Sequence, residues 1–216
     1  ALSPTVSTTY SVTGTGTNGC TASATTTVTV GNGIPIPFSE GFQNSPPFLP
    51  TGWTMNDGGN DGNIWLLNTS VGGFSATGNC AWYDNNGINA PNTRDEMEMM
   101  RLNFSNLTTV QMTFDVAYCR KSNASFSDTC VVYVSTNCGV SWTQVYSKGG
   151  STLATAPNQN GAFTPTTTQW RTETVSLTAY INQPSVIIKF QNRNHNGNNL
   201  YIDNINITGT TSNPPT

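Results

Sequence analysis

Residues 110–118, with the sequence VQMTFDVAY, alternate apolar and polar side chains with a period of two. This period is typical of a β-strand with one buried face, because successive side chains point to opposite faces. The apolar face consists of Val110, Met112, Phe114, Val116 and Tyr118. Strand patterns also occur at 96–104, 129–136, 169–177, 186–191 and 200–208. Helical spacing of apolar residues is almost absent, and loops rich in Gly, Asn and Asp separate the runs. The sequence therefore predicts an all-β protein, a β-sandwich.

The composition indicates an exported protein without nucleic-acid partners. Charged residues make up 9% of the 216 residues, against roughly 25% in an ordinary soluble domain. The net charge is −3 and the pI is near 4.9, so no basic stripe is present to meet a phosphate backbone. No apolar run approaches the ~18 residues of a membrane-spanning helix. The chain begins at Ala1 without a signal peptide, so we expect a mature or excised segment.

Five cysteines are present in a chain with a single histidine, which excludes a Cys/His zinc site of ordinary spacing. Disulfides are the expected state in an exported protein. Cys119 and Cys130 flank the polar loop RKSNASFSD, so we predict that they pair across a hairpin. Cys80 then pairs with Cys138, and Cys20 is left free or paired outside the segment.

The chain is predicted to divide near residues 31–33. Residues 1–31 contain two strand patterns joined by a turn at Asn18-Gly19, and they resemble the last hairpin of an immunoglobulin-like or PKD-like repeat. Two strands cannot bury a core, so we expect this hairpin to complete an upstream domain, to pack on the second domain or to pair with another chain. Residues 32–37 are predicted to be a linker, 38–209 the main domain and 210–216 a tail.

The main domain is similar to the MAM-like jelly rolls of Bacteroidetes secreted proteins, which include the cleaved-adhesin domains of gingipains. The matching motifs are FSEGF at 38–42, PTGW at 50–53, the Asp/Gly/Asn loop ending at Trp65, VSTNCGVSW at 134–142, QWRTETVSL at 169–177 and LYIDNINI at 200–207. The resemblance implies a jelly-roll β-sandwich but not a particular ligand. Cys80, Cys119 and Cys130 depart from the family pattern.

Two carboxylates on apolar strand faces predict a metal site. Glu40 alternates with Phe38 and Phe42, and Asp203 shares a face with Tyr201 and with the isoleucines that follow it. A buried carboxylate is costly unless it is paired or bound to a metal. The first and last strands of a jelly roll can be neighbours, and a cation would offset the repulsion between the two groups. Ca²⁺, which prefers oxygen ligands, is the predicted ion, and the resembling family binds structural calcium in this region.

Loop residues supply the remaining site candidates. Asp57, Asp61 and Asp84 lie in Gly/Asn-rich loops, where they either provide oxygens to a further calcium site or only cap turns. Trp82 and Tyr83, beside an Asn-rich loop, are the predicted glycan-binding residues, whereas the other tryptophans are better explained as core.

Catalysis is not expected. His195 has no H-E-x-x-H partner and no neighbouring nucleophile, so a turn or surface role is favoured. Asp95, Glu96 and Glu98 resemble a pair of glycosidase carboxylates only superficially, because Glu96 and Glu98 share the polar face of a strand.

Three functional hypotheses follow. The leading one is a non-catalytic, calcium-stabilised module of a secreted or cell-surface bacterial protein, which binds an extracellular protein or glycan in adhesion or substrate recognition. The second is a subunit of an extracellular filament, in which neighbouring copies join by strand addition. The third is an accessory domain that follows a secreted metalloprotease.

Overall fold

A computed structural model describes residue 4 and residues 7–28, 31–43, 48–74 and 78–211. The strands are β1 (Thr8–Thr15), β2 (Thr21–Val28), β3 (Ile34–Pro35), β4 (Phe38–Glu40), β5 (Thr54–Asn56), β6 (Leu66–Asn68), β7 (Cys80–Tyr83), β8 (Arg94–Glu98), β9 (Leu102–Asn103), β10 (Leu107–Tyr118), β11 (Thr129–Ser135), β12 (Thr143–Gly149), β13 (Arg171–Ser176), β14 (Ile187–Arg193) and β15 (Leu200–Thr211). Helical structure in these ranges is limited to α1 (Gly150–Leu153) and a 3-10 turn (Thr178–Tyr180). Neither helix is long and apolar enough to cross a membrane.

Residues 1–32 and 33–216 form two separate compact units. In the first unit β1 and β2 pair as an antiparallel hairpin, and Gly19 supplies the positive φ of the turn. Hydroxyl pairs between Thr9 and Thr27 (2.9 Å) and between Thr13 and Ser23 (2.7 Å) link the strands. All of β2 is exposed, so the hairpin buries no core of its own.

The second unit is a sandwich of two antiparallel sheets, which confirms the predicted β-sandwich. One sheet has the order β13-β10-β15-β7-β6, with β4 also paired to β15, and the other has the order β12-β11-β14-β8-β5. The alternation in residues 110–118 arises because Val110, Met112, Phe114, Val116 and Tyr118 all enter the core between the sheets. The Phe114 ring packs in an edge-to-face geometry against two rings of the opposite sheet. Its centroid lies 5.1 Å from that of Phe190 and 5.3 Å from that of Tyr146.

A smaller apolar cluster covers the outer face of the six-stranded sheet. It contains Cys80, Ala117, Cys119, Phe163, Trp170 and Tyr201. Phe163 and Trp170 lie outside the strands, and the Tyr201 hydroxyl donates to the Phe163 carbonyl at 2.7 Å. The irregular segment between α1 and β13 therefore completes the burial of this face.

The predicted linker and tail are partly strand. Ile34 and Pro35 pair in parallel with β9, and the Gly33 backbone lies so close to Leu102 that a Cβ at position 33 would come 2.2 Å from the Leu102 carbonyl carbon. β15 continues to Thr211, two residues into the predicted tail. Residues 212–216 lie outside the described part of the chain.

All five cysteines are free in the structure, which contradicts both predicted disulfides. The first was wrong because β10 and β11 belong to different sheets and do not form a hairpin. Cys119 therefore lies in the outer cluster, whereas Cys130 enters the main core. Cys80 is likewise buried in the outer cluster, and Cys138 is exposed in the turn between the paired strands β11 and β12 of the other sheet.

Candidate functional site

The first and last strands of the six-stranded sheet meet at the predicted calcium site. β4 pairs with β15 in a register that places Glu40 opposite Ile205, two residues after Asp203. Asp203 is fully buried, and it accepts hydrogen bonds from the backbone N–H groups of Gly73 (2.7 Å) and Asn204 (2.7 Å). Glu40 is half-buried and accepts from the Phe42 N–H at 2.5 Å. Strand adjacency thus brings the two predicted residues to the same end of β15.

Asp115 is a further acidic residue at this site. It lies opposite Asp203 on β10 and is only 6% exposed. Its carboxylate accepts from the Asn204 side-chain amide (2.8 Å) and from the Thr172 hydroxyl (2.6 Å). The register of β10 and β15 shifts here, and Asn204 has a φ of 47°. Sequence reasoning placed Asp115 on a polar strand face and missed it, because only the bulge and the pairing of β10 with β15 reveal its neighbour.

Gly73 and Gly41 form the wall around these carboxylates. A Cβ at position 73 would lie 2.3 Å from Asn204 Nδ2, 3.0 Å from Asp115 Oδ2 and 3.3 Å from Asp203 Oδ2. A Cβ at position 41 would lie 3.7 Å from Asp203 Oδ1. The buried carboxylate oxygens of Asp115 and Asp203 match the ligand chemistry of Ca²⁺. We call Glu40, Asp115, Asp203 and Asn204 the terminal-strand site.

The acidic loop residues separate into two groups. Oxygens of Asp57 and Asp61 lie within 4.8 Å of each other and of an oxygen of Asp95, on β8. Asp84 is outside this group, and its Oδ1 caps a turn by accepting from the Gly87 N–H at 2.8 Å. For Asp84 the turn-capping interpretation therefore describes the structure.

The predicted glycan-binding pair does not share a surface, because neighbouring residues of β7 point to opposite faces. Tyr83 is fully buried, donates its hydroxyl to Asp95 Oδ2 at 2.5 Å and packs edge-on against Trp65. Burial and the Asp95 carboxylate raise the pKa of Tyr83. Trp82 is half-buried and stacks on Tyr201, with centroids 5.9 Å apart. The prediction was wrong for Tyr83, which no ligand can reach.

The outer face of the five-stranded sheet combines aromatic and planar polar side chains. This sheet-face cluster consists of Tyr133, Trp142, Glu96, Lys189, Gln191 and Arg193. Lys189 Nζ lies 2.7 Å from Glu96 and 4.1 Å from the centroid of the Trp142 ring. Gln191 donates to Glu96 at 2.6 Å and accepts from Arg193 Nε at 2.9 Å. Arg193 also donates to the Tyr133 hydroxyl.

The hydrogen bonds of the sheet-face cluster fix its charges. Burial disfavours ionisation of Glu96, but hydrogen bonds from Lys189, Asn56 and Gln191 outweigh this effect and lower the pKa of Glu96. The alternation of polar and apolar residues along β8 and β14 could have indicated that Glu96, Lys189, Gln191 and Arg193 share one sheet face. Trp142, by contrast, was interpreted as a core residue. The cluster is therefore rigid. Lys189 and Gln191 are only 8% and 5% exposed, and the half-buried side chains of Trp142, Glu96, Tyr133 and Arg193 form its accessible part.

A shallow cleft of about 580 Å³ lies on the six-stranded sheet, beside the start of β10 and the ends of β13 and β15. Its lining consists of Thr109, Val110, Gln111, Thr174, Ser176, Thr178, Thr208, Gly209 and Thr210. No aromatic or charged side chain lines this cleft, so it offers a ligand hydroxyl groups but neither a ring nor an ionic contact.

Two antiparallel sheets, with the first and last strands of one sheet side by side, define a β-sandwich of the jelly-roll class. Residues 75–208 match the Reelin subrepeat B family, and the chain belongs to that family. No curated protein sequence matches the chain.

The structure is also similar to cleaved adhesin domains of Lys-gingipain from Porphyromonas gingivalis. The K1 domain aligns with a TM-score of 0.59 at 18% identity, covering 80% of this chain and 98% of that domain. The K3 domain has a TM-score of 0.55 at 18% identity, with 79% and 97% covered. The K2 domain has a TM-score of 0.51 at 18% identity, with the same coverage as K3. At this identity the likeness establishes the fold, and it confirms the predicted resemblance to gingipain adhesin domains.

Proposed function

We propose that the chain is a non-catalytic, calcium-stabilised recognition module of an exported protein, and that it binds a glycan through the sheet-face cluster. The observation that carries this proposal is the half-buried Trp142 ring over Lys189, beside the half-buried side chains of Glu96 and Arg193, which the buried Gln191 holds in place through hydrogen bonds. An indole packs against the apolar face of a sugar ring, and planar polar side chains recognise its hydroxyl groups. Other proteins of this fold are named adhesins, which is in keeping with a binding role.

The sheet-face cluster suits this role better than the hydroxyl-lined cleft or Trp82. Its polar side chains already bond one another, so little conformational entropy is lost when a ligand binds. Trp82 is held against Tyr201 on the other sheet, away from any comparable set of donors and acceptors. The cleft contains no ring against which a sugar could pack.

Calcium would stabilise the module without taking part in recognition. The proposed ligands are Glu40 and Asp203, as the sequence predicted, together with Asp115. These three carboxylates do not lie within 4.8 Å of one another in the structure, so the proposal requires Glu40, which pairs with Ile205 two residues beyond Asp203, to turn toward the ion. The support for this set is the burial of Asp203 and Asp115 and the close approach of the Gly73 backbone to both. A bound ion would join β4, β10 and β15, and so would hold the ends of the domain together.

Tryptophan variants on the two sheets test glycan recognition. The probes are xylan, a mixed-linkage glucan and mucin, titrated against the protein by affinity electrophoresis. We expect binding to at least one probe, and Trp142→Ala should weaken it by on the order of tenfold or more. Trp82→Ala is the matched control, a half-buried tryptophan on the other sheet, and should bind normally. Loss of binding in Trp82→Ala but not in Trp142→Ala would contradict the proposal.

The hairpin supports a second candidate function, filament assembly by strand addition. Within the described residues β1 and β2 form a sheet of only two strands, so each has an unpaired edge. Val12 is 70% exposed on this hairpin. Light scattering of the purified chain tests the idea, because assembly requires multiples of the monomer mass and a monomer at high concentration contradicts it.

A further inference from the structure

Three aspartates from two parts of the fold meet beside the five-stranded sheet. β5 pairs with β8 so that Asn56 lies opposite Glu96. The loop that starts with Asp57 therefore begins next to Asp95, and it also brings Asp61 back to the same point. One carboxylate oxygen from each aspartate lies within 4.8 Å of the other two. Within the described ranges, no other set of three acidic, cysteine or histidine side chains is as close.

Asp95 indicates a bound ligand because only one of its two buried carboxylate oxygens has a hydrogen-bond partner among the described residues. The residue is 0% exposed, and its Oδ2 accepts the Tyr83 hydroxyl at 2.5 Å. Its Oδ1 is also buried, but no described donor meets hydrogen-bond geometry at this atom, although the Gly58 N–H faces the carboxyl group. A buried carboxylate oxygen without a partner is costly and uncommon. The simplest compensation is a cation at Oδ1.

Backbone N–H groups of the loop hold its two aspartates in place. The Asp57 carboxylate accepts the N–H groups of Gly62 (2.7 Å) and Asp61 (3.1 Å). These bonds, that of Gly62 above all, lower the pKa of Asp57. Asp61 Oδ1 accepts from the Asn63 N–H at 2.9 Å, and no donor in the described part of the chain bonds to its Oδ2. None of the ion pairs among the described residues includes these aspartates, so their mutual repulsion lacks a neutralising side chain.

We propose that Asp57, Asp61 and Asp95 bind one Ca²⁺ ion at a site separate from the terminal-strand site. All three donors are hard oxygens, which disfavours zinc and copper. A separation of up to 4.8 Å equals about twice a Ca–O distance of roughly 2.4 Å, so one ion can contact all three groups.

The loop also resembles known calcium loops in its spacing. Asp57, Asp61 and Gly62 fall on the first, fifth and sixth positions of the D-x-[DN]-x-[DN]-G pattern, and Gly62 has the positive φ of its sharp turn. Gly59 replaces the ligand at the third position. Asp95 supplies a third carboxylate from the neighbouring strand.

Native mass spectrometry with Ca²⁺ counts the ions bound by the full chain and tests the site. Asp61→Asn changes an exposed side chain, and Asp95→Asn keeps the size and an oxygen acceptor for Tyr83. We expect each variant to bind one ion fewer than the wild type, or to bind it on the order of tenfold more weakly. Asp84→Asn is the matched control and should bind as many ions as the wild type.

Terbium luminescence locates the ion, because Trp65 lies beside the site and donates to the Asp95 carbonyl at 3.0 Å. Indole-sensitised emission from Tb³⁺ should fall in Asp61→Asn, and emission from Asp203→Asn should retain that component. If the terminal-strand site binds no calcium, or if the chain binds no glycan, Tb³⁺ emission should still be lower in Asp61→Asn than in Asp203→Asn. The test is therefore independent of the proposed function. The proposal is overturned if Asp61→Asn and Asp95→Asn both bind as many ions as the wild type, or if the wild type binds none.

Discussion

Asp115 and Asp203 lie opposite each other on β10 and β15, and Asn204 bonds to both. Its backbone N–H donates to Asp203 at 2.7 Å, and its side-chain amide donates to Asp115 at 2.8 Å. Two carboxylates that are 0% and 6% exposed would normally repel, and the described groups that donate hydrogen bonds to them, from Asn204, Gly73 and Thr172, are neutral. This pair is therefore the most direct physical reason to expect a cation at the junction of the terminal strands.

Calcium should raise the thermal stability of the chain through this pair. At 100 times the dissociation constant, a single site adds about 2.7 kcal/mol to the unfolding free energy. Differential scanning calorimetry with Ca²⁺ and with excess EGTA measures the shift. In an Asp61→Asn background, which removes the proposed loop site, the shift should persist. It should disappear when Asp203→Asn or Asp115→Asn is added, and a full shift in those double variants would exclude the terminal-strand site.

Gly73→Ala should damage the same site by steric means. Its Cβ would lie 2.3 Å from Asn204 Nδ2, so the amide that bonds to Asp115 must move. We expect a loss of about 1–3 kcal/mol in unfolding free energy, as for other overpacked positions, together with a smaller calcium-dependent shift. Gly161→Ala is the control, because a Cβ there meets nothing within 4 Å and its φ is not positive. Equal stability of the two variants would show that the backbone at Gly73 has room to adjust.

Thiol titration should distinguish the free cysteines of the structure from the predicted disulfides. Cys20 and Cys138 are exposed, whereas the other three are buried, and burial raises the pKa of Cys119 to about 11. The native chain should therefore react quickly with Ellman's reagent at two thiols, and the unfolded chain at all five. A count of one thiol after unfolding would instead support the two disulfides that the sequence predicted.

Strand periodicity was sufficient to predict the sandwich, because a buried face repeats every second residue whatever the sheet order. The alternation in residues 110–118 and 186–191 correctly identified inward residues such as Phe114 and Phe190. The adjacency of β4 and β15 followed from the jelly-roll resemblance, and in the structure it places Glu40 opposite Ile205, two residues after Asp203.

The incorrect predictions depend on which sheet a strand joins. The local alternation of apolar and polar residues does not contain that information. The residues between β10 and β11 look like a hairpin loop, yet they cross from one sheet to the other, so Cys119 and Cys130 separate. Asp115 was assigned to a polar face because its neighbour Asp203 lies far away in the sequence. Asp95 was considered only as a superficial resemblance to a glycosidase carboxylate, because its neighbours Asp57 and Asp61 belong to a distant loop. Trp142 was assigned to the core for the same reason, since Lys189 on a distant strand decides its surroundings.

The loop at residues 194–198 is held by one buried carboxylate, that of Asp128. Its Oδ1 accepts the N–H groups of His195 (2.7 Å) and Gly197 (3.0 Å), and its Oδ2 accepts that of Asn198 (2.8 Å). Asp128→Asn places an amide NH₂ where one of these donors points. We therefore expect a loss of about 1–3 kcal/mol in urea unfolding, since a buried backbone donor would lose its partner. Asp84→Asn, which alters a carboxylate that accepts one turn N–H, should lose far less.

The same carboxylate should make stability depend on pH. Burial raises the pKa of Asp128 above 3.8, although the backbone N–H groups of the loop and the Tyr118 hydroxyl act in the opposite direction. The folded state then holds this proton more tightly than the unfolded state. The contribution of Asp128 to stability is complete below pH 3.8 and is lost as the pH rises through the folded pKa. The unfolding free energy of the wild type, measured with urea from acidic to neutral pH, should show this decline, and that of Asp128→Asn should lack it. Parallel pH profiles of the two proteins would show that the pKa of Asp128 is the same in the folded and unfolded states, and would contradict the prediction.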